Sequence, residues 1–556
     1  MKVKALLFDT RSIQRYIYSS NRLRANIGAS YLVDRVFEDV LLDVLQPLGV
    51  DKDTWREKTD ETTNWTEMNT KCRIAYIGGG NALVLFGKDV PMEEIEGVVT
   101  EFTKRLLQSH PGLRTGAAIG EIGLDPDGGY LGEDGNRLTK NEIEDGKDDL
   151  TKLVKKLKQY QNGVFPEVNV PYTGLTQLCP ELGEVATDWD AEKKRFCSRE
   201  FKIKLNAWHD AEKVMVKKIQ EVLPEEKKTI FNSFVFPWEI EKLGQRETEN
   251  YIAIVHIDGN NMGIKFAGQA TLTDRKNLSL RLSEKTKKAF ASMLCDAVDE
   301  YDGYKGFLDL GKDKDGRKIL PVRPLVLGGD DMTFICTAKL ALRYTKRVME
   351  AMLKAVGDEE SVDTCAGIAI QPANYPFFRG YMLAEQACDA AKKEMRALRD
   401  KGTEQNCWLE FVIRHGEQAP DLSQIREQEY KAPAGDMHFG PYRVDAPERN
   451  GRDISSLIAG LNDLKGSNKQ EKGDQEKQER LSMNKIKELR DVIPRNADER
   501  GKFLRRLREG KGSLPNVPAW KDYKETLWKD GRTPYIDLIE MMDYYEPEGG
   551  KVHGEK

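Results

Sequence analysis

The chain lacks several things that would have placed it elsewhere. No stretch of its 556 residues approaches the ~20 apolar residues of a membrane span. The opening run MKVKALLFDTRS meets Asp9 too early to form a signal peptide. Neither sign of charge is in surplus. With 87 basic and 92 acidic residues the net charge is −5, so any contact with nucleic acid must come from local patches. Histidine is scarce, six residues scattered without a cluster. The eight cysteines include no CxxC pair, and several sit inside apolar runs such as FICTA and DTCAGIAI, where a reduced thiol is a small core residue. This pattern fits a soluble protein of a reducing, cytoplasmic compartment.

What is present is a repeat. The length calls for several domains. VKALLFDT (3–10) reads as a strand ending at Asp9, followed by a helical stretch. Then come RIAYIGGGNALVLF (73–86), an amphipathic helix, and the strand LRTGAAIGEI (113–122). The same order recurs in YIAIVHIDGNNMG (251–263), a helix, PLVLGGDDMTFIC (324–336), a helix, and VDTCAGIAIQ (362–371). Asp9 and Gly80 are 71 residues apart, Asp258 and Asp330 are 72 apart, and each turn lies 36 residues before the last strand. The expectation is α+β: two ferredoxin-like units of palm type, each an antiparallel sheet backed by helices.

The first copy is an internal control on the second. It makes its turn with Gly78-Gly79-Gly80-Asn81, whereas the second uses Gly328-Gly329-Asp330-Asp331. A tight turn needs its glycines and does without the acids, so the acids serve something else. Asp258 at a strand end and Asp330 in a hairpin turn can meet at one sheet edge, where carboxylates repel unless a divalent cation neutralises them. Oxygen ligands suit Mg²⁺ or Mn²⁺, and a two-metal site of this kind activates a hydroxyl and stabilises a pyrophosphate leaving group. The turn Gly259-Asn260-Asn261-Met262-Gly263 opens a helix whose free N–H groups suit a triphosphate. The alternative is an acidic, solvent-facing hairpin.

DGNNMG, LGGDDMTF and AGIAIQPANYPFFRGYMLAEQACDAAKK together resemble the cyclase-type palm of the large subunit of type III CRISPR effector complexes. DTRSIQRYIYSSNRLRANIGASYLVDRV resembles the first palm of that subunit, and LEFVIRHGEQAPDLSQIREQEY the stretch after the second. The resemblance covers most of the chain. It implies a subunit that, when guide and target RNA are bound in the assembled complex, converts ATP into a signalling nucleotide, usually cyclic oligoadenylate. It further implies Asp258 and Asp330 as ligands of two metals, Asp331 as ligand or base, and Lys392 on substrate phosphate. Gly259, Asn260, Asn261, Gly263, Gly328 and Gly329 would line the nucleotide site. The expected division is a degenerate first palm (1–122), a middle domain (123–250), the GGDD palm (251–416), a C-terminal helical domain (417–545) and a disordered tail (546–556).

The sequence departs from the family in places. It starts directly in the first palm, so the N-terminal His-Asp nuclease of many members is expected to be absent. The one His-Asp pair, His209-Asp210, reads as part of an ordinary helix. Cys179 and Cys197 stand singly where a four-cysteine zinc module would need pairs, and no zinc is expected. Some members without the nuclease join ATP to S-adenosylmethionine, and no residue here decides between the two products. Arg505, Arg506 and Arg508 are candidates for RNA phosphate, with a merely solvated helix face as the ordinary reading. A non-catalytic scaffold and a stand-alone GGDEF-like cyclase are the competing functions.

Overall fold

A computed structural model describes the chain except residues 53–54, 56–62, 164–173, 175, 247–248, 356–360, 400–406, 417–420, 449, 467–480 and 549–556. Most of the expected loop at 464–482 and of the expected tail thus lies outside the described residues. The chain forms two compact units. The first comprises residues 1–222, 261–287 and 325–330, the second residues 223–260, 288–324 and 331–556. No helix among the described residues is long and apolar enough to cross a membrane.

In the first unit, strands β1 (Lys2–Arg11), β2 (Cys72–Gly78), β3 (Asn81–Phe86) and β4 (Arg114–Gly123) form an antiparallel sheet in the order β2-β3-β1-β4. The centre of β1 is apolar on both faces because both faces are covered. On one side Phe8 packs against Phe102, ring centres 4.7 Å apart. Phe102 belongs to the helix Met92–Ser109, whose buried Ile95, Val98, Phe102 and Leu106 follow helical spacing. On the other side Ala5 and Leu7 share a core with Leu150, Leu153 and Leu157 of the helix Asp149–Gly163. The helices Leu23–Arg35 and Arg199–Val222 pack closely at Gly28, where a Cβ would stand 1.9 Å from the Lys204 carbonyl oxygen. Two further strands, β5 (Asp188–Asp190) and β6 (Arg195–Cys197), make a small hairpin.

The second unit holds β7 (Phe234–Val235), β8 (Tyr251–Gly259), β9 (Lys318–Ile319), β11 (Asp331–Thr337), β12 (Thr364–Pro372) and β13 (Trp408–Ile413), while β10 (Val322–Gly328) is divided, its residues 325–328 being counted with the first unit. Its short strands β7 and β9 pair in parallel. Three more short strands follow, β14 (Lys431–Ala432), β15 (Gly435–Asp436) and β16 (Tyr442–Arg443). The large sheet runs β10-β11-β8-β12-β13-β16. Its first four strands repeat the order of the first sheet, so the duplication read from spacing is also a duplication of topology. This order is that of the ferredoxin-like palm, and the chain contains two of them. β13 adds parallel to β12, and β16 adds antiparallel to β13. The helices Ala338–Leu353 and Phe377–Arg399 cover the sheet, the latter so closely at Gly367 that a Cβ there would lie 1.9 Å from the Ala384 carbonyl oxygen.

The C-terminal part is mainly helical, with helices Ile454–Lys465, Met483–Val492, Ala497–Glu509 and Tyr535–Met542. Asp453, Ser482 and Asn496 each accept a backbone N–H at a helix start. A buried polar network ties this part to the sheet. His438 stands with Nε2 2.7 Å from Glu410 of β13 and Nδ1 3.0 Å from Asp537 of the last helix.

Candidate functional site

Strand β8 ends in Asp258 and β11 begins with Asp331, and the antiparallel register sets the two directly opposite each other. The equivalent place in the first sheet pairs Asp9 with Asn81. Each strand-end aspartate has a donor from a helix. Gln161 Nε2 donates to Asp9 Oδ2 at 3.0 Å. In the second unit the Lys392 ammonium donates to Asp258 Oδ2. Duplication therefore preserved the geometry while the chemistry diverged: a neutral amide holds the first carboxylate, a full positive charge the second.

Lys392 reaches Asp258 because helical spacing puts it on one face of Phe377–Arg399 with Tyr381, Glu385 and Asp389. Burial pushes its pKa down, but the Asp258 carboxylate outweighs that and holds it above the ordinary lysine value. Glu385 is pushed up, mostly by burial; His256 opposes the shift, and Asp389 and Asp331 add to it.

Sequence reading overlooked His256 and Glu385. His256 lies two residues before Asp258 on β8, and side chains two apart on a strand share a face. Its buried ring has Nδ1 3.3 Å from Asp331 Oδ1 and 3.3 Å from Thr333 Oγ1, with Tyr381 edge-on at 5.7 Å. The period-two rule could have found it. Glu385 precedes Lys392 by seven residues, two helical turns, a signal that only matters once Lys392 is known to face the sheet.

The structure thus brings Asp258, Asp331 and Lys392 together. Gly259 is the last residue of β8, opposite Thr364, and buried Asn260 donates its backbone N–H to the Asp363 carbonyl at 2.8 Å. That N–H is engaged within the protein. Asn261, Gly263, Gly328, Gly329 and Asp330 belong to the stretches assigned to the first unit. Asn261 (φ 59°) and Gly329 (φ 50°) adopt left-handed backbone, and the Gly329 carbonyl accepts from Thr286 Oγ1. A Cβ on Gly263 or Gly328 would meet open space. Asp330 precedes Asp331 in the chain at the turn.

Among the described residues, no three His, Cys, Asp or Glu side chains are arranged to enclose a metal. Magnesium does not require three, since it is commonly held by one or two carboxylates together with substrate phosphates and water. The donor set is all oxygen, and Asp258 already holds a cation in the form of Lys392. The residues fit a hard divalent ion.

The other candidates have structural surroundings of their own. Cys179 and Cys197 are buried in a small apolar core with Ala25, Phe201 and Leu205. The His209 ring lies 4.0 Å from that of Trp208 on a helix. Arg506 and Arg508 engage Glu488 and Glu525, and Arg505 is exposed.

Fold and site define a class: a protein with a duplicated palm whose second copy carries paired aspartates at a strand end and hairpin. Comparison with known proteins narrows it. Residues 251–401 match the family model described as Cas10/Cmr2, second palm domain. In fold the chain is similar to solved structures of Csm1. The crystal structure of Csm1 in T. onnurineus aligns over 98% of this chain and 70% of its own, with TM-score 0.51 and 14% identity. A Csm1–Csm4 cassette in complex with pppApApA aligns over 98% and 69%, with TM-score 0.50 and 11% identity. No curated protein matches the chain.

Proposed function

We propose that the chain is the large subunit of a type III CRISPR effector complex and that its second palm is a nucleotidyltransferase. The observation that carries the reading is the Asp258–Asp331 pair with Lys392 at Asp258, set against Asp9–Asn81 with Gln161 in the first palm. Acids in register are retained only where the charged lysine is. The adenylate bound to the Csm1–Csm4 cassette supports ATP as the substrate.

In this reading a ribose hydroxyl attacks the α-phosphorus of ATP. The new P–O bond forms as the bond to pyrophosphate breaks, and the hydroxyl proton leaves to a base. Asp258 and Asp331, with Asp330 beside it in the chain, would hold Mg²⁺ or Mn²⁺, which neutralises charge on the triphosphate and acidifies the attacking hydroxyl. Asp331 is the base or a ligand, and His256 holds its carboxylate in place. Lys392 turns from Asp258 to a phosphate oxygen of the substrate. Gly259, Asn260, Asn261, Gly263, Gly328 and Gly329 line the nucleotide site. The product is cyclic oligoadenylate or an adenylate joined to S-adenosylmethionine, and target RNA bound to the complex, in the cytoplasm, is the trigger.

The test is mass spectrometry of products from labelled ATP with Mg²⁺ or Mn²⁺. The chain would be assembled with its guide complex and target RNA, with and without S-adenosylmethionine. Adenylate oligomers or an adenylated S-adenosylmethionine establish the enzyme and its acceptor together. No pyrophosphate release under any of these conditions would leave a scaffold.

A further inference from the structure

The hairpin β5–β6 lies outside the palm chemistry, and its two faces differ sharply. Cross-strand register pairs Asp188 with Cys197, Trp189 with Phe196 and Asp190 with Arg195. One face is anchored: Cys197 and Asp190 are buried, Asp190 accepts from Arg22 at 2.6 Å, and Arg195 pairs with Glu181. The other face presents Trp189 and Phe196 to solvent, 47% and 50% exposed, their rings edge to face with centres 5.0 Å apart. A two-stranded hairpin gains some stability from such a pair. Packing does not require leaving two large rings half in water.

The charge at the hairpin that has no ion-pair partner is mostly positive. The hairpin's acids are largely engaged, Asp190 with Arg22 and Glu192 with Arg24 at 3.0 Å. Among the described residues, Asp188 accepts from the Thr187 hydroxyl and has no cationic partner. Lys193 and Lys194, exposed at the turn, have no carboxylate within ion-pair distance among the described residues. Lys202 has none either, and it donates to the Trp189 carbonyl at 3.0 Å. Three lysines without a carboxylate partner among the described residues thus accompany the exposed aromatic pair, two at the hairpin turn and one bonded to the Trp189 carbonyl.

We propose that this hairpin is a docking platform for single-stranded RNA, with bases stacking on Trp189 and Phe196 and phosphates meeting Lys193, Lys194 and Lys202. Aromatic faces in a basic setting suit unpaired nucleotides, because every base has a π-face and every linkage a charge. A duplex would hide its base faces, and an apolar protein surface would gain nothing from the three lysines. The choice of RNA over DNA rests on the function proposed above; the stacking and charge argument does not.

The test is fluorescence anisotropy of a fluorescein-labelled 15-nucleotide oligouridine RNA titrated with the full chain, without ATP. Trp189→Ala with Phe196→Ala is expected to weaken binding by about tenfold or more per stacked base. Trp189→Tyr should restore most of it, and the double alanine variant should lose little stability, at most the worth of one cross-strand pair. Lys193→Ala with Lys194→Ala should lower the slope of log affinity against log salt by about 1.4. Wild-type chain that fails to bind the RNA, or a double aromatic variant that binds it equally well, overturns the proposal. So does a variant that binds RNA normally but no longer joins its neighbouring subunits, which would make the hairpin a protein contact. Oligothymidine bound as tightly as the RNA overturns the assignment to RNA. The Asp330→Ala, Asp331→Ala chain should bind the RNA like wild type, so failure of the palm chemistry and failure of the platform give different results.

Discussion

Asp258 and Asp331 face each other across the β8–β11 ladder, while the corresponding pair of the first palm is Asp9 and Asn81. Two like charges directly opposite in a sheet are destabilising. The chain lessens that cost with Lys392 at Asp258. The first palm avoids it by using asparagine. The two sheets therefore present one fold with and without an electrostatic demand for a cation.

The first prediction isolates that demand. Asp258→Asn and Asp331→Asn each keep the shape of the side chain and remove a charge. Product formation from ATP by the assembled complex should fall by at least about 100-fold, as expected for loss of a group acting on the transition state. Thermal stability should hold or rise in Asp331→Asn, because a repulsion is relieved; Asp258→Asn also takes the carboxylate from Lys392, and the two effects offset each other. Lost assembly together with a lowered melting temperature would show that the acids serve the fold.

The second prediction concerns Lys392. Lys392→Met keeps the aliphatic stem and removes the ammonium, leaving Asp258 without its internal cation. Mn²⁺ should then bind the free chain more tightly, as read by isothermal titration, because it no longer competes with the lysine. The KM for ATP should rise by about tenfold or more, since a charge-assisted hydrogen bond to phosphate is lost. Tighter metal binding with an unchanged KM would restrict Lys392 to the ion pair.

Much of this was legible before the structure. The repeat declared itself through spacing and turn sequence because a ferredoxin-like unit tolerates little variation between its strand-end aspartate and its hairpin. The contrast of GGGN with GGDD singled out the acids. What stayed hidden depends on which neighbour a side chain meets. Lys392, named from the family resemblance, is one of two adjacent lysines in a helix, and its contact with Asp258 follows only from the docking of that helix at Gly367 of β12. His256 looked like part of an apolar strand until its register with Thr333 was known. The short strands β14–β16 lie in a stretch read as helical; β16 exists because Tyr442 and Arg443 find the free edge of β13, a partner no local pattern reveals.

The third prediction tests that docking. At Gly367 a Cβ would stand 1.9 Å from the Ala384 carbonyl oxygen and 2.4 Å from the Cys388 nitrogen, both backbone atoms of the helix that carries Lys392. Neither can yield as a side chain would. Gly367→Ala should cost about 1–3 kcal/mol of stability by overpacking. It should also lower activity beyond its effect on stability, because the helix must lift Lys392 away from Asp258. Urea unfolding of the purified chain reads the first effect, and turnover well below the melting temperature the second. A Gly367→Ala protein with wild-type stability would mean that the helix does not sit so close.

The last prediction concerns His438, buried between Glu410 and Asp537. Both ring nitrogens face carboxylate oxygens, an arrangement that favours the protonated ring. Burial and the Arg426 charge push its pKa down, Asp537 and Glu410 push it up, and the acids prevail. Asp537 shifts the other way: burial raises it, but His438, Arg426 and the Tyr442 hydroxyl bring it below the ordinary range. A histidine whose folded pKa is raised gives stability that is fully present below its unfolded value of about 6.5 and lost as pH climbs through the folded one. The aspartate gives stability present above about 3.9 and lost as pH falls through its depressed folded value. The link between the β13 edge and the C-terminal helices should therefore be strongest between these limits and weaken toward alkaline pH as His438 gives up its proton. His438→Ala, which leaves two carboxylates buried without their cation, should cost about 3–5 kcal/mol near pH 6. That deficit should shrink in urea melts at pH 9, and a deficit equal at both pH values would show that the ring acts by packing alone.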